Sequence, residues 1–140
     1  MANWCENEIT ISGDRDMIER LWSLMQASNE FLNVLYPRPE RIKANDIERW
    51  NEDNWGTKWD IDGAQIASLE LHVCGCDAKI EGRHILTACD PPIKAFENAL
   101  LHLKSIWFDK DDIDIKCKYS NSDFEGLYDY CEDNRRMRNE

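Results

Sequence analysis

Between Leu71 and His84 the chain reads Leu-His-Val-Cys-Gly-Cys-Asp-Ala-Lys-Ile-Glu-Gly-Arg-His, which places two of three histidines and two of six cysteines in one short run. Imidazole nitrogen and thiolate sulfur are the donors a tetrahedral zinc ion takes, so His72, Cys74, Cys76 and His84 form a candidate structural metal set. If Leu69, Leu71 and Val73 face a core, then Glu70, His72, Cys74 and Cys76 share the opposite face of one strand. A hairpin centred near Ala78 would then bring His84 across from His72, with Cys74 diagonally close. A one-residue slip would send His84 to the other side. The competing account is packing: cysteine is commonly buried as a small apolar residue, and zinc sites usually carry Cys-x-x-Cys rather than Cys-x-Cys. A catalytic zinc would further need an open position and an acid-base partner, for which Glu70 is the nearby candidate.

The second chemical signal is charge. The chain has 28 acidic and 17 basic residues, a net charge of −11. Nonspecific nucleic-acid binding draws on Lys and Arg displacing counterions, so this balance disfavours direct contact with DNA or RNA. The acid concentrates late in the chain. Asp109, Asp111, Asp112, Asp114, Asp123, Glu125, Asp129, Glu132 and Asp133 face only Lys110, Lys116 and Lys118. Such a run is either a solvated face or a surface that steers toward a basic groove on another protein, and in the second case Asp109, Asp111, Asp112, Asp114, Asp123 and Glu125 are the expected contacts.

The elements that must position these groups follow from periodicity. Trp4 to Ser12 alternates as a half-buried strand, with Cys5, Ile9 and Ile11 on one face. Asp14 can cap a helix carrying Met17, Ile18, Leu21, Trp22, Leu24 and Met25. Phe31 to Tyr36 reads as a short strand stopped by Pro37 and Pro39. Residues 40–63 read as a polar insertion rich in Trp, Asn and Asp, with a helix around Ala44 to Asn54. Leu69 to Cys74 and Arg83 to Ala88 read as antiparallel strands joined by a turn around Asp77 to Gly82. Asp90-Pro91-Pro92 starts a helix whose Ile93, Phe96, Ala99, Leu100 and Leu103 face a core. Ile113, Ile115, Cys117 and Tyr119 alternate with Asp112, Asp114, Lys116 and Lys118 as a strand, and Phe124 to Tyr130 adds another.

The order strand, helix, strands, helix, strand suits an α+β protein: a ferredoxin-like two-layer sandwich, its antiparallel sheet packed by two helices plus the polar insertion. The length fits a single domain over 1–131, followed by a charged tail over 132–140. No window approaches a membrane span, and the start lacks the basic and apolar regions of a signal peptide, so a cytoplasmic location with reduced thiols is expected. No phosphate-binding glycine loop or nucleophile elbow occurs.

Asn3-Trp4-Cys5-Glu6-Asn7, Asn54-Trp55-Gly56-Thr57-Lys58-Trp59-Asp60, Leu86-Thr87-Ala88-Cys89-Asp90-Pro91-Pro92 and Phe124-Glu125-Gly126 together resemble the YubB-like ferredoxin-like family of phage and plasmid proteins. Cys89 stands where the family pattern has tryptophan. The resemblance implies a ferredoxin-like domain of mobile-element origin; it brings no established activity, and no catalytic residues are carried over from it. Together with the clustered acid, it leads to the expectation of a non-enzymatic inhibitor of a host nucleic-acid-targeting defence, anti-CRISPR-like, whose partner is most concretely a CRISPR effector nuclease with a basic channel. The alternatives are a zinc-dependent hydrolase and an accessory domain of unknown partner.

Overall fold

In the computed structural model, which describes residues 4–106 and 113–130, the chain is α+β, with a five-stranded antiparallel sheet and a few helices. The first strand, β1 (Trp4–Asp14), alternates as its sequence dictates: Cys5, Asn7, Ile9 and Ile11 are buried while Glu6 and Glu8 are exposed. The Asp14 side chain accepts the N–H of Met17 and so caps α1 (Arg15–Ser28). Met17, Ile18, Leu21 and Met25 of α1 enter the core, whereas Leu24 of the expected apolar stripe is exposed. The helix ends at Asn29, whose left-handed backbone (φ 59°) carries its N–H back to the Met25 carbonyl.

The run expected as a strand at Phe31 to Tyr36 is instead a single helical turn, α2 (Leu32–Leu35). A short apolar run has no periodicity that separates a buried strand from a buried helical turn. A distant residue decides it: Asp60 accepts the N–H groups of Leu32 at 2.7 Å and Asn33 at 3.1 Å, leaving the turn's first donors satisfied.

Residues 40–63 contain a 3₁₀ turn (Ala44–Asp46) and α3 (Ile47–Asn54), the helix expected there. The segment is more than surface decoration. Trp55 and Ile61 are buried in the core, and Trp55 Nε1 donates to the Tyr36 carbonyl at 2.9 Å. A short helix, α4 (Gly63–Ala67), capped by Asp62, leads into β2 (Glu70–Cys74).

The next strand, β3 (Asp77–Ala88), begins where a turn was expected. The turn is Gly75-Cys76, with Gly75 at φ 60°, a conformation glycine adopts without the cost a Cβ adds. Gly82 lies inside the strand at a break in register. Asn7 pairs with Ile85 and Ile9 with Gly82, so Arg83 and His84 together oppose Glu8. That is a β-bulge, and His84 sits in it at φ 57°.

After β3, α5 (Ile93–Ile106) buries Ala95, Phe96, Ala99 and Leu100. Then come β4 (Ile113–Ser120), where alternation places it, and β5 (Glu125–Tyr130), within the short strand expected at Phe124 to Tyr130. The strand order is β2-β3-β1-β4-β5, with every neighbouring pair antiparallel. Ile9, Ile11, Ile80, Ile85 and Ile115 from the sheet share one core with α1, α2 and α5. The alternate side chains, among them Glu6, Glu8, Lys79, Arg83, Lys116 and Lys118, lie on the other face and are exposed. Among the described residues no helix is long and apolar enough to cross a membrane. The tail expected over 132–140 lies outside the described residues.

Candidate functional site on the open sheet face

The hairpin register distributes the four expected metal ligands. His72 on β2 pairs with Lys79, not with His84, and Cys74 pairs with Asp77. His84 lies five residues beyond Lys79, roughly 17 Å along β3 at the usual rise per strand residue. The expected hairpin centre near Ala78 is therefore corrected: the two-residue turn at Gly75-Cys76 moves the centre toward the N-terminus and carries His84 away from His72. His72 Nε2 stands 3.2 Å from Glu70 Oε2, and His84 Nδ1 contacts Glu6 Oε1. Cys74 and Cys76 are exposed thiols at the end of the β2–β3 hairpin. Among the described residues, no group of three or more His, Cys, Asp or Glu side chains is placed to hold a metal ion.

The expected acidic contacts are also spread out. Asp109, Asp111 and Asp112 lie outside the described residues. Asp114 pairs with Ser12 at one end of β4, while Glu125 pairs with Ser120 at the other, roughly 20 Å away at strand spacing. Asp123 is in the turn before β5.

What the strands do gather is a cleft across β1, β4 and β5. Glu6 pairs with Ser120 and Glu8 with Lys118 across β1 and β4, while Lys118 faces Leu127 and Ser120 faces Glu125 across β4 and β5. These residues line an open cleft of about 720 Å³ with carboxylates on both sides. Glu125 is the one expected contact residue that it includes. Glu6 and Glu8 are legible in the sequence only as wet-face residues of β1, because alternation assigns a face and says nothing about which strand lies alongside.

Beneath this cleft the sheet is held by a buried polar knot. Asn7 Nδ2 donates to the Ile85 carbonyl and to Thr87 Oγ1, each at 2.9 Å, and Asn7 Oδ1 accepts the Cys117 thiol at 3.4 Å. Ile85 adjoins the bulge, so Asn7 fastens the backbone that displays His84. Burial, with the nearby Cys5 adding to it, pushes the Cys117 thiol up to about 12, and burial also raises Cys5. Both are packing thiols that stay protonated. On the β2 side, hydrogen bonding to Lys79 and then Arg83 holds the Glu81 carboxyl below its ordinary value, which marks that end of the face as a balanced ion cluster.

A second group comes from the Trp-rich segment. Trp59 and Trp4 approach with ring centroids 6.1 Å apart and planes tilted by 50°, and both are about half exposed. The spacing of Trp55 and Trp59 suggests a pair of anchors, but only Trp55 is buried. An open cleft in which Glu6, Glu8 and Glu125 outnumber the single cation Lys118, with the exposed Trp4 on the same face of β1, is suited to receiving positively charged groups. In comparison with known proteins, no family model matches the chain, and no curated protein and no solved structure matches it.

Proposed function

We propose that the protein is an acidic inhibitor of phage or plasmid origin that acts in the host cytoplasm. It lays its uncovered sheet face on the basic channel of a host nucleic-acid-targeting defence complex, an anti-CRISPR activity in its most concrete form. The observation that carries this reading is the cleft in which Glu6, Glu8 and Glu125 converge on a face no helix of the described chain covers. RNA-guided nucleases hold nucleic acid in Lys- and Arg-rich grooves, which carboxylates can occupy in place of phosphates. The net charge of −11 steers the encounter and opposes direct nucleic-acid binding. The protein works by occupancy and is not an enzyme.

For the fold we propose a ferredoxin-like domain of the YubB-like family extended by one strand. The chain order β1-α1-β2-β3-α5-β4 supports it: it is a split βαβ arrangement, with β5 added at the β4 edge and the segment between α1 and β2 inserted.

The test is binding to purified candidate effector complexes across a salt series. Affinity should fall steeply as ionic strength rises, and joint replacement of Glu6, Glu8 and Glu125 by glutamine should weaken both binding and inhibition. Binding that ignores salt and the triple replacement would sink charge mimicry as the mechanism.

A further inference from the structure

We propose that Trp4 and Trp59 form an anchor that seats an arginine side chain of the protein partner. The inference deepens the proposed function and rests on it for the class of partner.

Trp4 is 47% and Trp59 45% exposed, with their rings in tilted contact. Leu86, 41% exposed, belongs to the same surface: Trp4 pairs with Ala88 and Glu6 with Leu86, so Trp4, Glu6 and Leu86 share one face of the β1–β3 pair. The three apolar side chains therefore form an exposed patch on a protein that is otherwise richly charged, the kind of surface that marks an interaction site. Large aromatics are also the residues that most often carry binding energy at interfaces.

The rim of the patch determines what it fits. Glu48 Oε1 accepts the indole N–H of Trp59 at 2.9 Å. This bond fixes the ring and adds electron density to its face. Glu6 lies opposite Leu86 on the other side and touches His84. An apolar patch bounded by two carboxylates matches a side chain with an apolar stem and a cationic head. Arginine fits better than lysine, because its flat guanidinium can stack on an indole while donating in pairs to a carboxylate. The chain already places one of its own arginines over an indole beside a polar acceptor: the Arg38 guanidinium lies 5.6 Å from the centre of the Trp55 ring and makes a single bond to the Asn51 amide oxygen at 3.1 Å.

The test follows the tryptophan indole N–H signals of the intact protein by ¹⁵N NMR during titration with a capped tetra-arginine peptide. A citrulline peptide of the same length and a proline-rich peptide serve as controls. Trp4→Phe and Trp59→Phe assign the two signals while keeping an aromatic ring in place. The Trp4 and Trp59 signals should move with arginine and hold still with citrulline, while Trp55 stays fixed. Glu48→Gln should weaken the arginine response about tenfold, as expected for losing a charge-assisted contact beside a cation–π contact. Equal movement with citrulline, a response only to the proline-rich peptide, or no movement of either indole would overturn the anchor. The two proposals fail separately. Effector binding that is salt-sensitive yet unchanged by Trp4→Ala with Trp59→Ala removes the anchor and leaves the inhibitor. An arginine-specific indole response with no effector binding does the reverse.

Discussion

Asp60 Oδ1 accepts the backbone N–H of Leu32 at 2.7 Å, across 28 residues of chain, and with that bond fixes α2 as helix. The same carboxylate accepts from Phe31, Asn33 and Ile61. Burial pushes the Asp60 carboxyl above the ordinary value, and the four N–H donors pull it part of the way back. Asp60→Asn keeps one acceptor oxygen but turns an NH₂ group toward backbone donors, which should cost about 2 to 3 kcal/mol. The pH dependence has a definite sign. A folded-state pKa above the unfolded one means the folded state holds its proton longer, so Asp60 contributes most below about pH 4 and loses that contribution as pH rises through the folded value. The stability gap between wild type and Asp60→Asn should therefore narrow from pH 3.5 upward. Melting curves of both proteins across that range check it, and a gap that widens would mean the four donors outweigh burial.

His84 occupies the left-handed region at φ 57° inside the β3 bulge. A side chain there costs roughly 1 to 2 kcal/mol relative to a right-handed backbone, and the exposed contact with Glu6 returns little of that. Urea unfolding should therefore find His84→Gly as stable as the wild type or up to about 1 kcal/mol more stable, and His84→Val about 1 to 2 kcal/mol less stable. If valine were tolerated as well as glycine, the bulge would have another backbone shape in solution.

The thiols should divide by environment. Cys74 and Cys76 are exposed at the hairpin, whereas Cys5 and Cys117 are fully buried and Cys117 is held near 12. Only thiolate reacts with alkylating reagents. At pH 8 iodoacetamide should modify Cys74 and Cys76 in the native protein and reach Cys5 and Cys117 only after denaturant is added, as read by peptide mass spectrometry. Native modification of Cys117 at the rate of Cys74 would show that the sheet opens around Asn7.

How much of this was legible from the sequence depended on whether one segment carried the whole signal. β1 and β4 were legible because alternating polar and apolar side chains state both the strand and its buried face, whereas β5 was legible only as a short strand, its Leu127 being exposed. The Asp14 cap and the Asp90-Pro91-Pro92 run likewise announced the starts of α1 and α5. The hairpin was misplaced because Asp77 and Gly82 look like turn residues. Gly82 is instead buried at the bulge, where an added Cβ would lie 2.6 Å from Leu69 Cδ2, so that glycine serves close packing rather than turning. α2 was illegible because its helical state depends on Asp60. The cleft was half legible: the sequence marks Glu6, Glu8 and Glu125 as polar positions on strands, but their convergence depends on strand order and register, which no local pattern encodes.

The hairpin register also makes a prediction about metal. Cys74 and Cys76 are separated from His84 by most of β3, so zinc held by those thiols has no route to the His84 imidazole while the sheet is intact. Competition against a fluorescent zinc chelator should return the same zinc affinity, whatever its value, for wild type and His84→Ala. Replacing Cys74 and Cys76 together by serine should remove any soft-ligand component, because serine offers no thiolate. His72, on the same face of β2 as Cys74, is the histidine able to assist those thiols, so His72→Ala should act where His84→Ala does not. A drop in zinc affinity specific to His84→Ala would require β2 and β3 to pair in solution about the centre near Ala78, with His72 opposite His84. That outcome would replace the β2–β3 register alone, because the cleft rests on the separate pairings of β1 with β4 and β4 with β5.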